Sequence, residues 1–286
     1  MNQHAHPPTN RVNTTSLSSI AVGLCIVLYL AAAWRLGRQL AHTAGRGVHT
    51  HLTYALTAGA VCAHAAVLYS AILGGGGFNL SFFNAASLIG WVIALLALCT
   101  AQSGSLYSLG VFVMPLTALL VALAQVFPGS HTTTAMTTSV RVHAAVSIIG
   151  YGSLALAALQ ALFVWVQDRA LRTKRLGSLL RALPPLTSQE TLLFQLIAIG
   201  FFFLSLSLVS GIMFVADLLQ QHLAHKTVFS TLAWMVFAVL LWGRWRHGWR
   251  GRKVIQWVLV GFIALALAYF GAKMVLELLL DRRWST

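Results

Sequence analysis

Eight long apolar runs constrain the fold of this chain more than any other feature. A helix needs about 20 mostly apolar residues to cross the hydrocarbon core of a bilayer. Hydrophobic residues make up 58% of the sequence and charged residues only 8%, so a soluble core could not bury this much apolar surface. We therefore predict an all-α, polytopic membrane helix bundle of about eight transmembrane helices. The runs lie near residues 17–34, 52–73, 82–100, 106–127, 142–166, 192–215, 228–243 and 254–279.

The runs form one predicted integral membrane domain at residues 17–280. A polar tail at 1–16 precedes it, and a short polar tail at 281–286 follows it. The first tail lacks the basic region and nearby cleavage site of a secretory signal, so we expect no cleavable peptide. The stretch Thr187-Ser-Gln-Glu190 has the pattern of a capping box, which predicts the start of the sixth helix.

Basic residues are divided unevenly between the two sets of alternate connections. The connections after the first, third, fifth and seventh runs contain thirteen Lys and Arg residues, against five on the opposite side. Lys and Arg are enriched in cytoplasmic loops of membrane proteins. The bias therefore predicts cytoplasmic basic connections and both termini outside.

The connection after the seventh run contains the motif "WGRWRHGWRG" at residues 242–251. Basic residues interleaved with aromatic residues occur in nucleic-acid grooves, where bases stack and phosphates pair. They also occur at membrane surfaces, where Trp lies at headgroup level and Arg reaches lipid phosphates. Because the motif joins two apolar runs, we expect the lipid bilayer as its partner and no nucleic acid.

Two histidines within the apolar runs are the candidate functional residues, because polar groups inside a membrane are costly. His64 lies midway along the second run, on one helical face with Thr53 and Thr57. An imidazole at this depth can ligate a metal or haem iron, relay protons, or hydrogen-bond a neighbouring helix. The residues alone leave these alternatives open.

His143 lies in the first turn of the fifth helix, where His143, Ser147 and Tyr151 recur every four residues. This spacing predicts a polar stripe on one helical face. His143 is a candidate axial haem ligand, with the adjacent Arg141 pairing a haem propionate. The alternative is an interfacial histidine beside a headgroup anchor.

The remaining metal-ligating residue types form no predicted site beyond a haem iron. Cys25, Cys62 and Cys99 lie in apolar runs without CxxC spacing, so we expect them to be buried small hydrophobes. His222 and His225 are three residues apart in an outer loop, but no third ligand is obvious nearby, although His131 lies in another outer loop. No catalytic residue is predicted, because the sequence has no P-loop, G-x-S-x-G or H-E-x-x-H motif.

Several segments together resemble the CcsA/CcmC/HemX-like cytochrome c assembly family, and most closely its bacterial inner-membrane YpjD branch. The resemblance covers most of residues 52–275, and the order of the segments carries it more than any one motif. The segments are "HAAVLYSAI" at 64–72, "FNLSFFNAASLIGWV" at 78–92, "VHAAVSIIGYGSLALAALQALF" at 142–163, "LLFQLIAIGFFFLSLSLVSGIMF" at 192–214 and "WMVFAVLLWGRWRHGWRGRKVIQWVLVGFIALALAYFG" at 234–271.

The resemblance implies a multi-pass protein of the bacterial inner membrane that handles haem b. It also implies a role accessory to cytochrome c maturation, with other membrane or maturation proteins as partners. His64 matches the family's early transmembrane histidine. His143 matches the histidine that the family carries at the outer surface, and Arg141 accompanies it.

The chain also departs from the family's pattern. Arg244 stands where a second transmembrane histidine belongs, and "ELLLDRR" at 277–283 offers no second outer histidine. The tryptophan-rich WWD segment is replaced by "VADLLQQHLAHKTVFSTLAW", which has no tryptophan before Trp234. We therefore expect haem binding without a transfer platform and without catalysis of thioether formation. The alternatives are a membrane scaffold or regulator that has lost haem, and a transporter of a small amphipathic or anionic molecule.

Overall fold

Within the residues that it describes, the computed structural model of this chain forms a bundle with eight helices long and apolar enough to cross a membrane. It describes residues 11–42, 50–74, 79–100, 105–129, 137–173, 183–214 and 224–271, and these segments contain no strand. The predicted all-α membrane bundle is thus confirmed, while the placement of both termini outside stays a prediction. The helices are α1 (Arg11–His42), α2 (Thr50–Leu73), α3 (Phe82–Thr100), α4 (Ser105–Val126), α5 (Thr138–Arg172), α6 (Leu186–Phe214), α7 (Ala224–His247) and α8 (Arg252–Ala266), and a π-helical segment (Leu267–Gly271) continues α8.

Several helices are longer than their apolar runs. The seventh run was expected to be the shortest span, but α7 has 24 residues and ends in Arg244, Arg246 and His247. In the same way, α5 has 35 residues and carries Arg169 and Arg172 in its last turn. Basic residues in a last turn suit the negative end of the helix dipole, so the helices continue past the hydrocarbon into the headgroup layer.

The bundle is built around a pair of closely packed helices. The contact between α5 and α6 is the most extensive in the bundle, and α8 packs against both α5 and α7. On the other side, α1 packs against α2 and α4, and α3 joins that group to α5. A Cβ atom at Gly200 of α6 would lie 2.6 Å from Cγ of Leu154 in α5, so only glycine permits this separation.

The three cysteines differ in their environment. Cys25 is fully buried, and its thiol lies 3.7 Å from the carbonyl oxygen of Ala60, to which it donates. Cys62 and Cys99 are exposed, so the expectation that all three are buried in the bundle is wrong for these two. In a membrane bundle the outward helical face is also apolar, so an apolar run does not show which of its residues face the core.

The start of the sixth helix lies two residues before the first helical residue that the capping box predicts, and the predicted capping interaction does not form. Helix α6 begins at Leu186, and the carbonyl of Pro185 accepts hydrogen bonds from the N–H groups of Ser188 and Gln189. Glu190 does not serve this helix start. Its carboxylate accepts the N–H of Gly251, at 3.0 Å, immediately before α8.

Contacts between helix ends bring three helices together at one end of the bundle. The Glu190–Gly251 hydrogen bond joins the beginning of α6 to that of α8. A 3.8 Å contact between Arg252 and Asp168 brings the end of α5 to the same place. We call this the basic end, because among the described residues it carries Arg169, Arg172, Arg244, Arg246, Arg250, Arg252 and Lys253. His143 lies at the opposite end, in the first turns of α5.

Candidate functional site

His64 lies at the junction of three helices. Its side chain is fully buried on α2. Its Nδ1 atom is 3.2 Å from the hydroxyl of Tyr29 on α1, and its Nε2 atom is 3.0 Å from the hydroxyl of Ser87 on α3. The Tyr29 ring also meets the imidazole edge-on, with ring centroids 5.8 Å apart. One side chain therefore ties α1, α2 and α3 together in the bundle interior.

The polar face predicted on α2 is present and buried. Thr53 and Thr57 are buried with His64, and Thr57 donates a hydrogen bond to the carbonyl of Thr53. Both partners of His64 were missed from the sequence. Tyr29 and Ser87 are polar residues inside the first and third apolar runs, and that shared feature was the available signal.

His143 is held on one side only. Its Nδ1 atom lies 2.8 Å from the hydroxyl of Ser210 on α6, and its ring rests on Gly211, where a Cβ atom would lie 3.3 Å from Cε1. The backbone of Ser207 also hydrogen-bonds the ring, no side chain of the described segments bonds Nε2, and the residue is only half-buried. The ring is thus fixed through one nitrogen while the other nitrogen stays available to a ligand.

The polar stripe below His143 is confirmed as a seam between helices. The hydroxyl of Ser147 lies 2.7 Å from that of Ser207 on α6, and Tyr151 donates a 3.0 Å hydrogen bond to the carbonyl of Leu265 on α8. These contacts set the rotation of α5 against its two neighbours. They therefore fix the position of His143 one turn farther along the same face.

The two histidines occupy separate sites. His64 contacts α1 and α3, and His143 contacts α6, so the structure does not bring them to one iron. Arg141 is exposed in the first turn of α5, two residues before His143. No cluster of three metal-ligating side chains occurs within the described part of the chain. His131, His222 and the side chain of His225 lie outside it.

The two sites differ in how well they suit a haem iron. An imidazole binds iron through one nitrogen, and a hydrogen bond at its other nitrogen fixes the orientation of the ring. His143 has this arrangement, since Ser210 holds Nδ1 and Nε2 is open. His64 does not, because Tyr29 and Ser87 occupy both nitrogens and the ring is enclosed. Iron at His64 would have to displace one of these hydroxyl groups.

Arg244, at the position where the family resemblance implies a second transmembrane histidine, is part of the basic end. Its guanidinium lies 4.7 Å from the ring centroid of Phe194 and donates a 3.3 Å hydrogen bond to the carbonyl of Trp249. The side chain therefore stabilises the turn between α7 and α8. A guanidinium has no lone pair to give to iron, so this position offers no haem ligand.

Comparison with known proteins adds independent information. Residues 53–280 match the family model described as cytochrome c assembly protein. The inner membrane protein YpjD of Escherichia coli (strain K12) is 35% identical over 224 residues, covering 77% of this chain and 84% of that relative. An uncharacterized 28.8 kDa protein of Azospirillum brasilense is 36% identical over 140 residues, covering 48% of this chain and 52% of its own.

More distant relatives have a named role. The cytochrome c biogenesis protein CcsA of Synechococcus sp. (strain CC9902) is 26% identical over 156 residues, covering 46% of this chain and 51% of CcsA. No solved structure matches the chain. The eight membrane-length helices and the likeness to an inner membrane protein fit a multi-pass protein of the bacterial inner membrane. Together, the match over residues 53–280 and the extended identity with YpjD show that the chain belongs to the cytochrome c assembly protein family.

Proposed function

We propose that this protein holds haem b as cargo at the end of the bundle opposite the basic end, and that it is accessory to cytochrome c maturation. The observation that supports this most is the half-occupied imidazole of His143. Its Nδ1 atom is hydrogen-bonded to Ser210, the backbone of Ser207 also contacts the ring, and no side chain of the described segments bonds Nε2. The CcsA relative is named for cytochrome c biogenesis.

Each residue at this site has a definite part in the proposal. His143 supplies the axial nitrogen, Ser210 keeps the imidazole in one tautomer and orientation, and Arg141 attracts a propionate of the haem. Bound haem is itself the group that a maturation partner attaches to a cytochrome. The chain lacks the tryptophan-rich segment of the family, so that attachment belongs to another protein of the inner membrane.

For His64 we propose a structural role in place of the ligand role that the family resemblance implies. Both ring nitrogens already have hydroxyl partners on neighbouring helices. These hydrogen bonds satisfy both nitrogens of a neutral imidazole. A polar side chain inside a membrane requires such partners, so no bound ligand is needed to account for His64.

A haem titration of the detergent-purified full-length protein tests the proposal. The wild type is expected to develop a Soret band that His143→Ala abolishes and Ser210→Ala weakens. His247→Ala is the matched control, because His247 is an exposed histidine at the basic end. His64→Ala is expected to retain the band, in keeping with its structural role.

The outcome that contradicts haem handling is a protein that stays colourless with added haem, or a band that His143→Ala leaves unchanged. The first result would favour the second candidate function, a non-haem membrane scaffold or regulator. The saturated hydrogen bonding of His64 favours that candidate, because it removes one of the two ligands that the family resemblance implies.

A further inference from the structure

A cavity of about 520 Å³ opens at the basic end of the bundle, on the turn between α7 and α8. Arg250 and Lys253 give this cavity two cations. Trp249 and Trp257 give it aromatic walls, and Gln256 adds an amide. None of these residues belongs to the proposed haem site, which lies at the other end of the bundle.

The wall of the cavity is preformed. Gly248 and Gly251 have φ angles of 63° and 73°, a region that side-chain-bearing residues rarely adopt, and they turn the chain sharply from α7 into α8. The ring of Trp249 packs on Gly243, where a Cβ atom would lie 2.5 Å from the indole. Arg244 holds the carbonyl of Trp249 at 3.3 Å. Trp249 is therefore fixed in place before any ligand arrives.

Within the described segments, no acidic side chain neutralises the cations of the cavity. Arg250 and Lys253 are exposed and make no ion pair within the described segments, whereas the neighbouring Arg252 lies 3.8 Å from Asp168. Lys253 also stands in the first turn of α8, where the helix dipole is positive and repels a cation. An anion placed between the two cations would offset both the mutual repulsion and the dipole.

The depth of the cavity distinguishes a lipid from a soluble anion. The span of α7 ends at His247 and that of α8 begins at Arg252, so Arg250 lies between the two spans and Lys253 lies at the start of the second. Basic residues at the end of a span reach the lipid headgroups. Trp257 is 46% exposed one turn beyond Lys253 along α8, within the apolar span. The cavity thus has two cations at its opening, and its aromatic wall continues toward the acyl chains of the lipid.

We propose that this cavity binds the phosphate group of one anionic phospholipid. Arg250 and Lys253 contact the phosphate, Gln256 hydrogen-bonds the headgroup or glycerol oxygens, and the two tryptophans flank the lipid. This differs from the general attraction between basic loops and an anionic membrane surface, because it assigns one lipid to one set of side chains. It is also independent of haem.

Native mass spectrometry of the full-length protein tests the assignment. The protein is taken from phosphatidylglycerol/phosphatidylcholine vesicles into mild detergent, and the retained lipids are counted. The wild type is expected to retain one phosphatidylglycerol in preference to phosphatidylcholine. Each cation near an anionic lipid strengthens the attraction roughly fivefold, so Arg250→Gln/Lys253→Gln should reduce retention by at least about tenfold.

The control variant Arg38→Gln/Arg169→Gln removes the same charge from the same end. Each of these exposed arginines stacks on a tryptophan of its own helix, Trp34 or Trp165, outside the cavity. Equal loss of lipid in the two double variants would overturn the proposal in favour of a diffuse basic surface. Melting temperatures measured on both variants confirm that each has folded.

A second arm identifies the source of the phosphate. Phosphatidylglycerol added to delipidated protein is expected to raise the melting temperature of the wild type but not of Arg250→Gln/Lys253→Gln. Inorganic phosphate at the same concentration should leave both unchanged. An equal rise with inorganic phosphate would show a soluble-anion site and overturn the lipid assignment.

Discussion

Replacement of His64 by alanine tests whether a buried histidine holds this bundle together. The substitution removes two interhelical hydrogen bonds, to Tyr29 at 3.2 Å and to Ser87 at 3.0 Å. It leaves two hydroxyl groups inside the bundle, one fully buried and the other nearly so. It also opens a void where three helices meet, because the imidazole itself is fully enclosed.

The expected cost follows from these two effects. Interhelical hydrogen bonds in membrane proteins contribute on average about 0.6 kcal/mol and at most about 1.7 kcal/mol, because the unfolded helices also find partners. Two such bonds give about 1–3 kcal/mol in total. Truncation of a large buried side chain adds about 2 kcal/mol, at the low end of the range for core residues. We therefore expect His64→Ala to lower the free energy of unfolding by about 3–5 kcal/mol.

Unfolding in mixed detergent micelles, followed by circular dichroism, measures this change. Ser70→Ala on the same helix is the matched control, because that exposed hydroxyl bonds only to the carbonyl of Val67. A double-mutant cycle adds a second criterion. Tyr29→Phe should cost about 1 kcal/mol alone and much less in the His64→Ala background, where its partner is already gone. If His64→Ala costs no more than Ser70→Ala, or if the Tyr29 effect is fully additive, the structural role of His64 is refuted.

Two further predictions concern helix packing and can be measured by the same unfolding assay. Gly200→Ala should destabilise the bundle by about 1–3 kcal/mol, since its Cβ would lie 2.6 Å from a side-chain carbon and 3.2 Å from the backbone nitrogen of Leu154. Gly37→Ala is its control, because nothing lies within 4 Å of that Cβ, and a destabilisation as large as that of Gly200→Ala would contradict the reasoning. Glu190→Ala should cost about 1–3 kcal/mol by leaving the N–H of Gly251 without its acceptor, whereas Glu190→Gln keeps an acceptor oxygen and should cost less. Equal effects of the two Glu190 variants would show that the hydrogen bond is not what stabilises the turn.

The membrane spans could be read from the sequence because hydropathy depends on composition alone. All eight apolar runs correspond to helices. The ends were harder to place, since α5 and α7 continue through charged and aromatic residues after the apolar run stops. Local sequence also misassigned Glu190. Its spacing from Thr187 fits a capping box, but the N–H of Gly251, 61 residues away, supplies a competing donor.

The polar contacts within the bundle were only partly predictable. Helical spacing alone placed His143, Ser147 and Tyr151 on one face, and that face does meet α6 and α8. The same reasoning identified His64 but not Tyr29 or Ser87. The relative rotation of three separate helices decides which polar groups meet, and sequence periodicity describes each helix by itself.

The roles proposed for the two histidines follow from how many of their ring nitrogens are hydrogen-bonded. Burial and position in the chain distinguish them less well. A nitrogen that binds iron uses the lone pair that a hydrogen bond would otherwise engage, so one imidazole nitrogen cannot serve both purposes. His64 has a hydrogen-bond partner at each nitrogen and links α2 to α1 and α3. His143 has one nitrogen fixed by Ser210 and is only half-buried. In the proposed assignment, the inner histidine holds three helices together and the outer one offers a ring nitrogen to haem iron.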